Sequence, residues 1–327
     1  MAKTGNIAVW AALAGNLLVA AAKFTAAAIT GSAAMLSEGV HSLIDTANEV
    51  LLLYGIARSE RPADRLHPLG YGRELYFWSF VVALLIFALG AGVSLYEGIG
   101  RLLEPRDIDR PGVLYAVLGV SLLFEGASWW VSVRTFRRAK GELSWWDAFR
   151  RSKDPPTFTV VFEDSAAILG ILVAAGGTAL ALTTGDTRWD GIASIAIAVI
   201  LAAVAGLLAR ESKELLIGER ADPALSEAIM RTAAGIAGVC SANSIVTVQL
   251  APNSVVATLS LDFFDTMRAP DIERAVVELE STIRRVHPEV SAVFVKPQSV
   301  LTADASNGDD ILTPDIAPAE GGDPGSG

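Results

Sequence analysis

The chain has 327 residues, 52% of them hydrophobic and 19% charged, with a formal net charge of −10 at pH 7. The apolar residues gather in runs long enough to cross a bilayer, which excludes an ordinary soluble globule. No basic patch interleaves with aromatics and no glycine-rich phosphate loop occurs, so nucleic-acid binding and nucleotide-driven chemistry are excluded, and nothing points to an enzyme.

Taken in chain order, six runs at about 7–29, 32–57, 75–100, 111–134, 158–183 and 188–209 predict six transmembrane helices. The first run is longer than a signal-peptide core and holds Asn16 and Lys23, so it reads as a span. The short turn "TGSA" makes spans one and two an antiparallel pair. Six crossings place both termini on one side. Most Lys and Arg lie in the segments 58–73 and 134–153 and just past span six, so the positive-inside rule puts both termini in the cytoplasm. Between spans four and five, "RRAKGELSWWDAFRRSKDPPT" is a basic, Trp-bearing stretch expected at the membrane surface, facing anionic lipid.

After span six the period changes. "DPALSEAIMRTAAGIAGV" has Leu225, Ile229, Ala233 and Ile236 at helical spacing. "SIVTVQL" and "VVATLSLDF" alternate, with Val255, Ala257, Leu259, Leu261 and Phe263 on one side. A second helix carries Ile272, Val276, Leu279, Ile283 and Val286 inward, and "VSAVFVK" closes as a strand. The order α-β-β-α-β predicts an α+β, ferredoxin-like domain with helices on one face of a small sheet. The expected organisation is therefore a transmembrane domain over 1–211, a cytoplasmic domain over 212–300 and a disordered tail over 301–327. That tail holds Asp304, Asp309, Asp310, Asp315, Glu320 and Asp323 and no basic residue, which accounts for six of the ten excess negatives. The single cysteine, Cys240, permits no intrachain disulfide and reads as a small core residue.

The chemistry concentrates in span two. His41 and Asp45 are four residues apart, hence on one helical face, and the rise of about 1.5 Å per residue puts them near mid-bilayer. An uncompensated charge there costs at least about 3 kcal/mol, so these groups must face protein, water or an ion. Span five supplies Glu163 and Asp164 at a comparable level; adjacent residues point about 100° apart, so either could be the ligand, with the other supporting it or handling protons. One imidazole with two or three carboxylates is a set for a divalent cation: zinc first, with manganese, iron, cobalt and cadmium compatible. Such ligands bind metal only when deprotonated, so metal and protons compete, and a site of this kind in alternating access exchanges one for the other. For His41 alone, a helix–helix hydrogen bond is the competing reading. Lys23 and Glu97 read as snorkelling from span ends, Asn48 as orienting Asp45 or packing, and Glu125 as a structural ion-pair partner.

The segments "SAAMLSEGVHSLID" and "RPADRLHPLGYGRE", six spans and the α-β-β-α-β end together resemble the cation diffusion facilitators, over nearly the whole chain to about residue 298. The resemblance implies a metal/proton antiporter, working as a homodimer, with a site between spans two and five. His41 and Asp45 match its H/D-x-x-x-D pair and Asp164 matches one span-five ligand. Val160 stands where a histidine is usual, and the Glu163–Asp164 pair resembles the branch of the mitochondrial zinc transporter. A second family site of form D-x-x-H-x-x-G-H is matched by Asp64 and His67, but Tyr71 replaces the last His, so a weak or vestigial loop site, or a loop anchor, is expected. His287 has no clustered ligands, which implies a soluble domain that carries no metal, with His287 on its surface. The resulting expectation is zinc efflux against protons across the cytoplasmic membrane, with no tightly bound cofactor. The competing expectations are a non-transporting receptor or scaffold with a degenerate site, or a passive channel.

Overall fold

The computed structural model describes residues 2–105, 108 and 110–299. The acidic tail, expected to be disordered, lies outside the described residues. The chain divides into two compact units, one ending at Ile217 and one beginning at Gly218.

The first unit is helical: α1 (Ala2–Thr30), α2 (Ala33–Ser59), α3 (Glu74–Leu85), a π-helical stretch (Ile86–Ala91), α4 (Gly92–Leu103), α5 (Pro111–Lys140), the short α6 (Trp145–Arg151), α7 (Pro155–Thr184) and α8 (Arg188–Ile217). The helix from Arg188 thus runs past the boundary expected at residue 211. Proline opens α5 and α7, where its missing N–H costs nothing. Ser32 caps α2 by accepting from the Met35 N–H, and Asp190 of α8 adds to that cap, accepting from Ser32 Oγ at 2.6 Å and from the Ala33 N–H at 2.7 Å. A Cβ on Gly98 would lie 2.6 Å from Ile195 Cγ1, so only glycine lets α4 and α8 approach so closely.

Among the described residues, four helical segments are long and apolar enough to cross a bilayer: Glu74–Leu103, Pro111–Arg138, Pro155–Thr184 and Arg188–Ile217. Of the other two expected spans, α1 has described side chains only over Asn16–Thr30, which is apolar, and α2 falls short because Glu38, His41, Asp45 and Glu49 interrupt it. Yet α2 turns its polar side chains inward. Ser37, Glu38, His41, Ser42 and Asn48 are buried, while Leu43, Val50, Leu53 and Tyr54 are exposed. Polar inside and apolar outside is the arrangement hydrocarbon requires and water does not.

The second unit contains α9 (Pro223–Ala234), β1 (Val239–Ala251), β2 (Ser254–Phe263), α10 (Ala269–Val286) and β3 (Val290–Pro297). Strand order is β1-β2-β3; β1 and β2 form an antiparallel hairpin, and β3 lies parallel to β2 after the α10 crossover. Val255, Ala257, Leu259, Leu261 and Phe263 are all buried, as their alternation predicts, the last four in one core with Ile229, Ala233, Leu279 and Ile283. Val286 departs from the predicted stripe: it is exposed, at the last turn of α10. Cys240 also departs. It follows the inward-facing Val239 on β1 and so points out to solvent, because successive strand residues face opposite ways. His287 caps α10 and is half-buried, its Nε2 3.4 Å from Thr232 Oγ1.

Candidate metal centre

A cavity of about 260 Å³ opens inside the helical unit between α2, α5 and α7, and Asp45, Glu49, Glu125, Glu163 and Asp164 lie on its wall. The residues Leu52, Leu53 and Ile56 of α2 and Pro156 and Val160 of α7 line it toward the ends of those helices that adjoin the basic loops. Of the expected residues of spans two and five, Asp45, Glu163 and Asp164 thus face one cavity, and His41 does not.

Glu163 and Asp164 point to different partners, as adjacent helical residues must. Glu163 Oε1 accepts from Asn48 Nδ2 at 2.7 Å, which ties α7 to α2. Asp164 Oδ2 accepts from the hydroxyls of Ser128 and Ser132, both at 3.0 Å, which ties α7 to α5. Asn48 thus positions Glu163 and not Asp45. Asp45 is the least committed acid: its Oδ1 has no hydrogen-bond partner and stands 3.4 Å from His41 Nδ1. His41 is 1% exposed, does not line the cavity, and neither ring nitrogen has a hydrogen-bond partner. It sits behind Asp45. Among the described residues, no three His, Cys, Asp or Glu side chains are close enough to hold a metal as they stand. The donor set nevertheless suits a hard or borderline divalent cation: carboxylate oxygens on several helices, one imidazole behind them, and neutral donors that orient two of the acids without neutralising them.

Lys23 overturns its sequence reading. It does not snorkel; it is fully buried, with Nζ donating to Ser42 Oγ at 2.7 Å and to Glu38 Oε2 at 3.2 Å. Its ammonium is also 3.7 Å from Glu125 Oε1, so Glu125 does have an ion-pair partner. At the other end of the cavity Asn16 Nδ2 donates to Glu49 Oε2 at 3.2 Å. The sequence held a usable signal for these: Asn16 and Lys23 are seven apart, and Glu125, Ser128 and Ser132 recur at three and four, so each set forms one polar stripe on an apolar helix.

The loop site is built differently. Asp64 Oδ1 accepts from the backbone N–H of Leu66 and His67, at 2.9 and 2.7 Å, and its Oδ2 accepts from the Tyr71 hydroxyl at 2.7 Å. These bonds, Tyr71 foremost, hold the Asp64 carboxyl below the usual carboxylate range. The His67 and Tyr71 rings lie 4.2 Å apart, and Gly70 takes a left-handed φ of 81° that closes the turn. Asp64 and His67 are exposed and serve the loop's own fold.

Comparison with known proteins follows the same line. The cation efflux transmembrane domain matches residues 9–217. The chain is 40% identical over 204 residues to the mitochondrial proton-coupled zinc antiporter SLC30A9 of Xenopus laevis, and 38% to that of Homo sapiens, covering 62% of this chain and 36% of each relative. It is 35% identical over 217 residues to metal tolerance protein C4 of Arabidopsis thaliana, covering 66% of this chain and 48% of that protein. The match thus spans between a third and a half of these relatives.

Proposed function

The chain belongs to the cation efflux family, the cation diffusion facilitators, and from that premise we propose that it exchanges a divalent metal cation, zinc foremost, for protons across a membrane. It is a multi-pass membrane protein. The observation that carries the proposal is the cavity in which Asp45, Glu163 and Asp164 meet, with one Asp45 oxygen lacking a partner. The zinc and proton specificity is supported by the names of the relatives above.

In the proposed cycle, Asp45, Glu163 and Asp164 take the cation in their deprotonated state. Asn48, Ser128 and Ser132 keep the two α7 acids aimed into the cavity. Protonation of the same oxygens removes the negative charge that holds the cargo and favours release. His41 joins through Asp45, 3.4 Å away, once α2 turns relative to α7. Loop residues Asp64 and His67 take no part, because Tyr71 already occupies the carboxylate.

The wider architecture in this proposal has six spans, α1 and α2 included, with the inward polar face of α2 as support. Residues 1–211 carry transport, 212–300 form a cytoplasmic domain that pairs two copies of the chain, and 301–327 form a tail. The charge distribution supports cytoplasmic termini, and we place the protein in the cytoplasmic membrane. The two zinc antiporters named above are mitochondrial, so membrane fractionation checks the placement: recovery with an organelle membrane would move the same topology there.

Reconstitution tests the activity. Full-length protein in liposomes, with a zinc dye inside and an imposed pH gradient, is expected to move zinc only while the gradient lasts. Zinc flux indifferent to the gradient would mean a channel. Absence of flux for zinc, manganese, iron, cobalt and cadmium would mean a receptor or scaffold.

A further inference from the structure

The mechanism above leaves two acids of the cavity wall without a role, Glu49 and Glu125, and of these Glu49 is held by Asn16. Glu125, on α5, faces the same space as Asp45, Glu163 and Asp164. Its ion-pair partner is the ammonium of Lys23, 3.7 Å away and shared with Glu38, which is nearer at 3.2 Å. Lys23 and Glu38 are fully buried, whereas the Glu125 side chain keeps 17% of its exposure, turned to the cavity. Glu38 Oε1 has no hydrogen-bond partner, so the deep pair has spare acceptor capacity toward its lysine. Ser42, which also takes a hydrogen bond from Lys23, lies on the cavity wall beside Asp45.

We propose that Glu125 is a further cation-binding residue of this cavity and that Lys23 is a tethered stand-in for the cargo. The ammonium neutralises Glu125 until a divalent cation arrives; the carboxylate then turns to the cation and the ammonium falls back on Glu38 and Ser42. At equal distance a doubly charged ion attracts a carboxylate about twice as strongly as an ammonium does. A lysine is a compact charge on a flexible stem, so the shift needs no movement of backbone. Glu38 keeps the lysine paired, and no buried charge is stranded by the exchange. This inference rests on the cavity being the transport site.

A salt bridge that merely ties α1 to α5 would make Lys23 and Glu125 variants behave alike. Exchange makes them opposite. The test is zinc titration calorimetry on the full chain in nanodiscs at neutral pH. Glu125→Gln is expected to bind zinc about ten- to hundredfold more weakly. The paired variant Lys23→Met with Glu38→Gln, which strands no charge in the deep pair and leaves only the cavity-facing Glu125 without its ammonium, is expected to bind roughly tenfold more tightly, because the competitor is gone. Adding Glu125→Gln to that pair is expected to cancel the gain. If the pair does not yield monodisperse protein, Lys23→Arg serves instead: its fork grips both carboxylates, so exchange predicts weaker zinc binding and a structural tie predicts unchanged zinc binding. Unchanged affinity in Glu125→Gln, or weakened affinity in the Lys23→Met pair, would overturn the proposal. Asp45→Ala separates the two readings. If zinc affinity ignores Asp45, the cavity is not the transport site; if it depends on Asp45 and ignores Glu125, only the present inference fails.

Discussion

Two places in the helical unit pair a histidine with an aspartate, and they differ in what else holds the carboxylate. In the loop, Asp64 is exposed and receives two backbone N–H groups and a tyrosine hydroxyl. In α2, the carboxylate of Asp45 is partly exposed to the cavity, stands among other acids and has an oxygen with no partner. The loop carboxylate is saturated in water, where further charge gains little. The cavity carboxylate is unsaturated where an uncompensated charge is costly, and a cation relieves that cost. Residue types alone do not make a cation site; the unmet demand of the oxygens does.

The comparison can be broken by experiment, most strongly at Asp45. Zinc at about one hundred times its dissociation constant should stabilise the wild-type protein by about 2.7 kcal/mol, reversed by a chelator. Asp45→Ala should lose that stabilisation and all zinc flux while still inserting in the membrane; retained flux would contradict the assigned site. A smaller loss is expected from Asn48→Ala, which frees Glu163 from its 2.7 Å bond: zinc affinity should fall about tenfold or more, read by calorimetry. An unaltered affinity would mean that Glu163 does not need that support.

The loop should respond the other way. Tyr71→Phe removes the principal bond that depresses the Asp64 carboxyl, so its titration midpoint should rise toward about 3.9. Because the folded value is the lower one, the loop's share of stability is present above the ordinary midpoint and is lost as pH falls through the folded one. Carboxyl ¹³C shifts of labelled protein read this directly, and zinc flux should not change. Least of all is expected from Cys240→Ser. The thiol is solvent-exposed in the second unit, and flux within about twofold of wild type is predicted; a dead variant would assign the thiol a role that its position does not explain.

Much of this was legible before the fold was known. Hydropathy located the helices, and the alternation through Val255–Phe263 located the core strand, because both are periodic signals carried by the residues themselves. Spacing placed His41 with Asp45 on one face, and the order of motifs identified the family. What escaped were partners reached across space. Lys23 looked like a span-end lysine, since its burial depends on Glu38 and Ser42, fifteen and nineteen residues on. Asn48 looked like an aid to its neighbour Asp45, yet it reaches Glu163 on another helix. Cys240 was misread as core because one cysteine carries no periodicity, and only the register of β1 decides its face.

The central claim is that the carboxylates between α2 and α7, with Asp45 the unsatisfied one among them, are where the cargo sits. Anomalous diffraction at the zinc edge, from crystals of the full chain grown with zinc, tests it most directly by fixing element and position together. A peak within coordination distance of Asp45, Glu163 or Asp164 is the predicted result. A peak at Asp64 and His67 with none in the cavity would contradict it.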